Sequence, residues 1–270
     1  MPAPASTEPD EGHAATLERL RTCDLVIEGR MPWSSNATFL CELWPAGTRP
    51  DGGIGEGADE DGDEPAPSGD GGVEPLGRAI YKPHRGERPL WDFPDGLYRR
   101  EAAAFDLAGA LGWDLVPPTI VRDGPFGTGS VQAFVDADYA QHHFTLVEDE
   151  RHHAQLRRMC AFDIVANSTD RKGGHVLIDA DEHLWGIDNG LCLHVEFKLR
   201  TVIWEFADEP LPAELADDLD RFVAAGIPDA LAAVLDPFER DALLGRARAL
   251  LADGRFPVDH TGHRVPWPLV

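Results

Sequence analysis

The 270-residue chain predicts an α+β fold with a β-rich N-terminal lobe and an α-rich C-terminal lobe. Three observations predict it. Short runs of apolar and β-branched residues bounded by turn residues crowd the first half. Apolar spacing of helical period dominates the second half. Strand and helix patterns are segregated rather than alternating, which points away from a parallel βαβ sheet.

The elements follow in order. Residues 1–14 are polar and acidic and are expected to form a disordered tail. Thr16–Thr22 reads as a short helix. Cys23–Gly29 (CDLVIEG) and Thr38–Trp44 (TFLCELW) read as strands joined by the turn-rich RMPWSSNA. Residues 47–74 are rich in Gly, Pro, Asp and Glu and nearly lack apolar side chains, so they are expected to be a disordered insertion. Gly77–Pro83 is a strand, Leu97–Gly112 an amphipathic helix, and Asp114–Val121 and Gly129–Val135 two further strands. Beyond them, Ala154–Asn167 is helical, Gly174–Ile178 and Leu184–Ile187 form a short hairpin, and Ala213–Ala224, Asp229–Val234 and Pro237–Asp253 are helices. The lobes are expected at 15–136 and 137–270.

Composition narrows the function. A formal net charge of −24 repels nucleic acid and anionic headgroups. No apolar run reaches the roughly 18–20 residues that span a bilayer. The first residues lack the basic-then-apolar pattern of a secretory leader. The four cysteines (Cys23, Cys41, Cys160, Cys192) are scattered and show no C-x-x-C spacing, as in free thiols of a reducing compartment. A cytoplasmic location is the expectation. The pairs His142–His143 and His152–His153 are adjacent rather than four apart, so they read as surface histidines and not as a metal site. Trp185 and Trp204 read as core or wall residues.

Three segments carry chemistry. In AIYKP, Lys82 ends a strand and can present a point charge to phosphate oxygens. In RREAAAF, small residues flank Glu101, so its helix can approach a sheet closely and its carboxylate can pair with a lysine. In DIVANSTDRKGGHVLIDADEHLWGIDNGLCL, Asp170 sits in a polar turn after a helix, and Asp188 ends a strand before Asn189–Gly190. A carboxylate in such a turn can accept a hydroxyl proton, and one at a strand end can hold a metal.

DRKGGHVLI followed by GIDNGLC resembles the catalytic and metal-binding segments of type II phosphatidylinositol 4-kinases and their bacterial relatives. Similar layouts occur in other atypical kinases, including HipA-like protein kinases. The resemblance covers roughly residues 24–206 and implies a two-lobed protein-kinase-like fold that uses ATP with Mg2+ or Mn2+. It further implies that Ser34, Ser35 and Asn36 cover phosphates, and that Lys82 contacts phosphate with Glu101 orienting it. Gln132, Ala133, Phe134 and Val135 would line the adenine pocket. Asp170 would be catalytic, and Arg171 structural or a phosphate contact. Asp188 would bind metal, and the four residues Lys82, Glu101, Asp170 and Asp188 would converge on one cleft.

His175 stands where the family pattern has an asparagine ligand. Imidazole is softer than an amide oxygen, so His175 either recruits a metal such as manganese or marks loss of one metal site. The expected function is transfer of the γ-phosphoryl group to a hydroxyl of a lipid, a protein or a small polyol. The alternative is a catalytically impaired nucleotide-binding pseudokinase or sensor that acts through a protein partner.

Overall fold

A computed structural model describes residues 11–31, 36–49 and 72–270. Ser34, Ser35, residues 1–10 of the expected tail and residues 50–71 of the expected insertion lie outside them. The chain divides into two compact units, one containing Pro9–Arg88 with Pro118–Phe134 and the other Pro89–Pro117 with Val135–Val270. The helix that carries Glu101 groups with the second unit, whereas the sequence reading kept it with the strands.

The first unit is a five-stranded antiparallel sheet with one helix, α1 (Glu11–Thr22). The helix starts five residues before the expected Thr16. The strands are β1 (Asp24–Arg30), β2 (Phe39–Trp44), β3 (Arg78–Pro83), β4 (Thr119–Gly124) and β5 (Gly127–Ala133), in spatial order β1-β2-β3-β5-β4. Side chains alternate across a strand. In β3 this buries Ala79, Tyr81 and Pro83 on one face and turns Lys82 to the other. Leu20, Cys23, Leu25, Cys41, Leu43, Ala79, Tyr81 and Val131 form this unit's core.

The β4–β5 hairpin is locked to that core. The Tyr81 hydroxyl donates to the Gly127 carbonyl at 2.5 Å and accepts the Phe126 amide at 3.2 Å. Gly129 faces Pro83 in the ladder, where a Cβ would lie 2.4 Å from the Lys82 carbonyl oxygen, so only glycine fits. β4 starts at Thr119 rather than the expected Asp114. Pro117 and Pro118 interrupt the run, and Leu115 and Val116 are buried in the core of the other unit.

The second unit is mainly helical: α2 (Leu97–Leu111), the single turn α3 (His143–Leu146), α4 (His153–Ala166), α5 (Ala213–Ala225), α6 (Asp229–Val234) and α7 (Pro237–Asp253). A small hairpin, β6 (Val176–Ile178) and β7 (Leu184–Gly186), completes it. Gly173–His175 forms a 3-10 turn where strand was expected. Ala102, Ala103 and Ala104 are all buried and let α2 pack closely against α4, α5 and α6. Leu107, Leu156, Met159, Phe162, Phe206, Phe222 and Leu243 belong to the continuous core. Among the described residues no helix is long and apolar enough to cross a membrane.

Two readings of single residues need correction. His143 and His152 are buried, not on the surface. His143 is drawn in by Glu205, whose Oε1 lies 2.9 Å from its Nε2. The four cysteines are all buried and unpaired, as expected. Burial pushes the Cys41 and Cys192 thiols up to about 12, so neither is a ready nucleophile.

Candidate active site

The helical unit brings Glu101, Asp170, His175 and Asp188 into one neighbourhood, and the means lie in the helix before them. α4 runs through buried apolar residues from Met159 to Ala166, interrupted by Asp163, which is 0% exposed. A lone carboxylate there must be paired. Its partner is Arg171, 2% exposed, whose Nε lies 3.0 and 3.2 Å from the two Asp163 oxygens. The Thr201 hydroxyl donates to the same carboxylate at 2.9 Å.

Arg171 directs its other two nitrogens to the I-D-N-G segment. Nη1 donates to the Ile187 carbonyl at 2.8 Å, and Nη2 donates to Asn189 Oδ1 at 2.6 Å. The Asn189 amide group donates in turn to the Gly186 carbonyl at 2.9 Å. Thus Arg171 is structural, and Asn189 is a brace between Arg171 and the end of β7. The flanking chain pairs as well: the Thr169 amide donates to Leu191 at 2.8 Å and the Arg171 amide to Arg200 at 3.1 Å.

α2 fixes the same segment from another side. Glu101 is buried, and its Oε2 accepts the Asn189 backbone amide at 2.9 Å. A Cβ on Gly190 would stand 3.2 Å from Glu101 Oε1, so the glycine admits this close approach. One residue earlier, Arg100 pairs with Glu239 of α7 at 2.5 Å and donates to the Cys192 carbonyl at 2.8 Å. The I-D-N-G segment is therefore held from α2, α4 and the β6–β7 hairpin together.

The side chains left facing outward are the chemical ones. Asp188 is held at φ 57°, a left-handed conformation that non-glycine residues seldom adopt and that clusters at functional sites. Its Oδ2 lies 3.4 Å from His175 Nε2. The His175 Nδ1 accepts the Lys172 amide at 3.4 Å, which leaves the ring proton on Nε2, toward Asp188. Lys172 Nζ stands 3.1 Å from Asp170 Oδ2. Burial lifts the Asp170 carboxyl above the ordinary range. Lys172 opposes this, the nearby Asp188 charge reinforces it, and Arg200 opposes it further. Two carboxylates that repel each other, one desolvated, offer hard oxygen donors suited to Mg2+ or Mn2+.

The other described sequence candidates, Val135 excepted, lie in the strand unit. Lys82 pairs with Ser130 across the ladder. Asn36 Oδ1 accepts the Arg88 amide at 3.0 Å. Gln132 is buried and donates to Thr119 Oγ1 at 2.8 Å. The amides of Ala133 and Phe134 donate to Pro118 and Arg78, at 2.8 and 3.1 Å. Val135, the first residue of the helical unit after the break, accepts the Tyr139 hydroxyl at 2.9 Å. Asp163, Asn189 and Thr201 were missed by the sequence reading. Asp163 carried a readable signal, a single carboxylate inside an apolar helix eight residues before an arginine.

The geometry can be set beside known proteins. No protein-family model matches the chain. The solved structure of the golgi casein kinase is similar with a TM-score of 0.55 at 13% identity, over 96% of this chain and 78% of that one. The structure of hydra Fam20 with sugar gives a TM-score of 0.50 at 12% identity, over 92% of this chain and 89% of that one. At such identities the likeness speaks to the fold alone, which is kinase-like. In sequence, Protein Rv2133c of Mycobacterium tuberculosis is 37% identical over 304 aligned positions, covering 98% of this chain and 97% of its own. With that identity over nearly the whole of both chains, this protein belongs to the family of Protein Rv2133c.

Proposed function

We propose that the protein is an ATP-dependent phosphotransferase. The observation that carries this reading is the pair Asp170 and Asp188, displayed on two loops that a single buried guanidinium, Arg171, ties together in a kinase-type fold. Asp170 accepts the proton of the acceptor hydroxyl. The acceptor oxygen then bonds to the γ-phosphorus as the bond to the β–γ bridging oxygen breaks, and ADP leaves with that oxygen's charge. Asp188 would hold the divalent metal, which when bound neutralises phosphate charge. Glu101 keeps the Asp188 loop in place through Asn189. Lys82, Asn36, Ser34 and Ser35 are the proposed phosphate contacts, and Gln132 to Val135 the proposed adenine wall.

The acceptor is a hydroxyl compound. The likeness of DRKGGHVLI and GIDNGLC to type II phosphatidylinositol 4-kinases supports testing inositol lipids, and the sugar in the hydra Fam20 structure supports testing sugars. Buried, unpaired thiols support a reducing, cytoplasmic setting for the reaction.

The test is a thermal-shift series with ATP and either Mg2+ or Mn2+, followed by ADP release, on the parent chain and Asp188→Asn. The parent is expected to be stabilised by ATP with metal and to release ADP, and the variant to lose both. No stabilisation by any nucleotide–metal pair would overturn the reading. One observation favours a second reading, a nucleotide-binding pseudokinase: the Nε2 proton of His175 points at Asp188 and competes with a metal there. ATP binding without turnover under either metal would select it.

A further inference from the structure

A groove of about 740 Å³ in the helical unit lies beside the proposed catalytic loop and has no part in the nucleotide reading. Its wall is the segment that follows the metal loop, from His194 to Arg200, together with Trp91–Pro94 and Arg264. The wall is built onto the loop itself. Asn167, the left-handed cap of α4, donates through Nδ2 to the carbonyls of His194 and Glu196, at 3.1 and 2.7 Å. Its Oδ1 accepts the Lys198 amide at 2.8 Å. The Arg200 amide donates to Ser168 at 2.9 Å, and the exposed Arg200 guanidinium is close enough to Asp170 to lower its carboxyl. Arg200, in the groove wall, is thus bonded through its backbone to Ser168 and Arg171, on either side of the Thr169–Asp170 turn.

Its chemistry is unlike the rest of the molecule. The chain carries a net charge of −24, yet this lining holds three fixed cations, Lys198, Arg200 and Arg264, against two carboxylates, Asp92 and Glu196. Lys198 is committed, since its Nζ donates to the Asp92 carbonyl and carboxylate at 2.9 and 3.1 Å. Arg264 faces Asp259, with Nε 3.9 Å from its Oδ1. The exposed Arg200 is the cation that remains for a ligand. Aromatic faces stand beside these cations: Trp91 is 96% exposed, and Phe197 lies under the Arg264 guanidinium at 4.8 Å. Flat aromatic faces take the C–H face of a sugar or polyol ring, and guanidinium groups take phosphate.

We propose that this groove is the acceptor site and that it takes a small polyol or sugar bearing one phosphate. This rests on the phosphotransferase reading for its role and on the groove alone for its ligand. Size and charge choose this occupant over a macromolecule. An acidic peptide or an anionic membrane extends beyond Arg200 and meets the field of the whole acidic chain, whereas a single phosphate fits within about one screening length of that guanidinium.

The test is calorimetric titration of the full chain, without nucleotide, using glucose 6-phosphate and myo-inositol 1-phosphate as probes. Glucose, inorganic phosphate, a polyglutamate peptide and phosphatidylinositol vesicles serve as comparators. At least one sugar phosphate is expected to bind roughly tenfold tighter than glucose or inorganic phosphate, and Trp91→Ala and Arg200→Gln each to weaken it about tenfold. Both side chains are exposed, so neither change threatens folding. The proposal is overturned if no sugar phosphate binds, if both variants bind as the parent does, or if inorganic phosphate binds equally well. Tighter binding of the peptide or the vesicles overturns it too. Nucleotide binding is read separately from the ATP thermal shift. Loss of that shift alone would remove the phosphotransferase role and leave a sugar-phosphate site, while loss of sugar-phosphate binding alone would remove the groove and leave the kinase.

Discussion

Arg171–Asp163 and Lys172–Asp170 are ion pairs whose cations are neighbours in sequence, yet they have opposite characters. The first is sealed, with side chains 1% and 0% exposed, and every donor of its guanidinium has a fixed acceptor in two other segments. The second is partly open, and its carboxylate is desolvated, repelled by Asp188 and only partly compensated by Lys172. One loop therefore alternates between a residue that is fully held and residues whose pairing is left open. Pairing satisfied in the interior gives rigidity, while pairing left incomplete at the rim keeps a carboxylate available to accept a proton.

The comparison breaks most visibly at Asp163. Asp163→Ala leaves the Arg171 charge buried without a carboxylate and is expected to cost about 3–5 kcal/mol of stability. Urea unfolding followed by circular dichroism reads this directly. A loss under 1 kcal/mol, on the same scale, would mean the pair is not structural. Asp170→Asn should show the reverse. Its turnover is expected to fall about 10²–10⁴-fold while the unfolding midpoint stays close to that of the parent. Equal losses of stability at both sites would erase the distinction.

His175→Asn is the next test in size. It exchanges an imidazole beside Asp188 for an amide oxygen, so ATP binding should shift toward Mg2+ over Mn2+, by about tenfold in the affinity ratio measured by calorimetry. An unchanged ratio would exclude His175 from the metal's surroundings. The smallest effect is one of pH. Asp170 must be ionised to accept a proton, and Lys172 favours its ionised form. In Lys172→Ala the carboxyl rises further, so the acidic limb of the pH–rate profile should move to higher pH. Movement to lower pH would contradict the pairing.

The same contrast explains what the sequence disclosed. Asp170, Asp188 and Glu101 stood out in the sequence because they occupy polar or small-residue settings that periodicity alone does not require, and the helical unit brings all three to the segment around Asn189. Most strands and helices were legible from their periods. Asn189 escaped because its role is fixed by Arg171, 18 residues away, which no local pattern encodes, while Asp163, eight residues from the same arginine, left only the trace of a lone carboxylate in an apolar helix. Leu115 and Val116 read as strand because apolar runs are ambiguous without tertiary context, and they are buried in the core of the helical unit to which they belong. His143 was misread for the same reason, since Glu205 lies 62 positions on.

The left-handed backbone at Asp188 has a consequence for how this protein can change. At φ 57° a β-branched or bulky side chain strains the turn, whereas asparagine and glycine sit there with little cost. The substitutions the fold tolerates best at this position are thus the ones that remove the carboxylate. A lineage could exchange catalysis for pure binding by a single replacement at 188 and keep the loop, its Arg171 brace and its neighbours intact. The backbone that displays this carboxylate also makes its removal a short step.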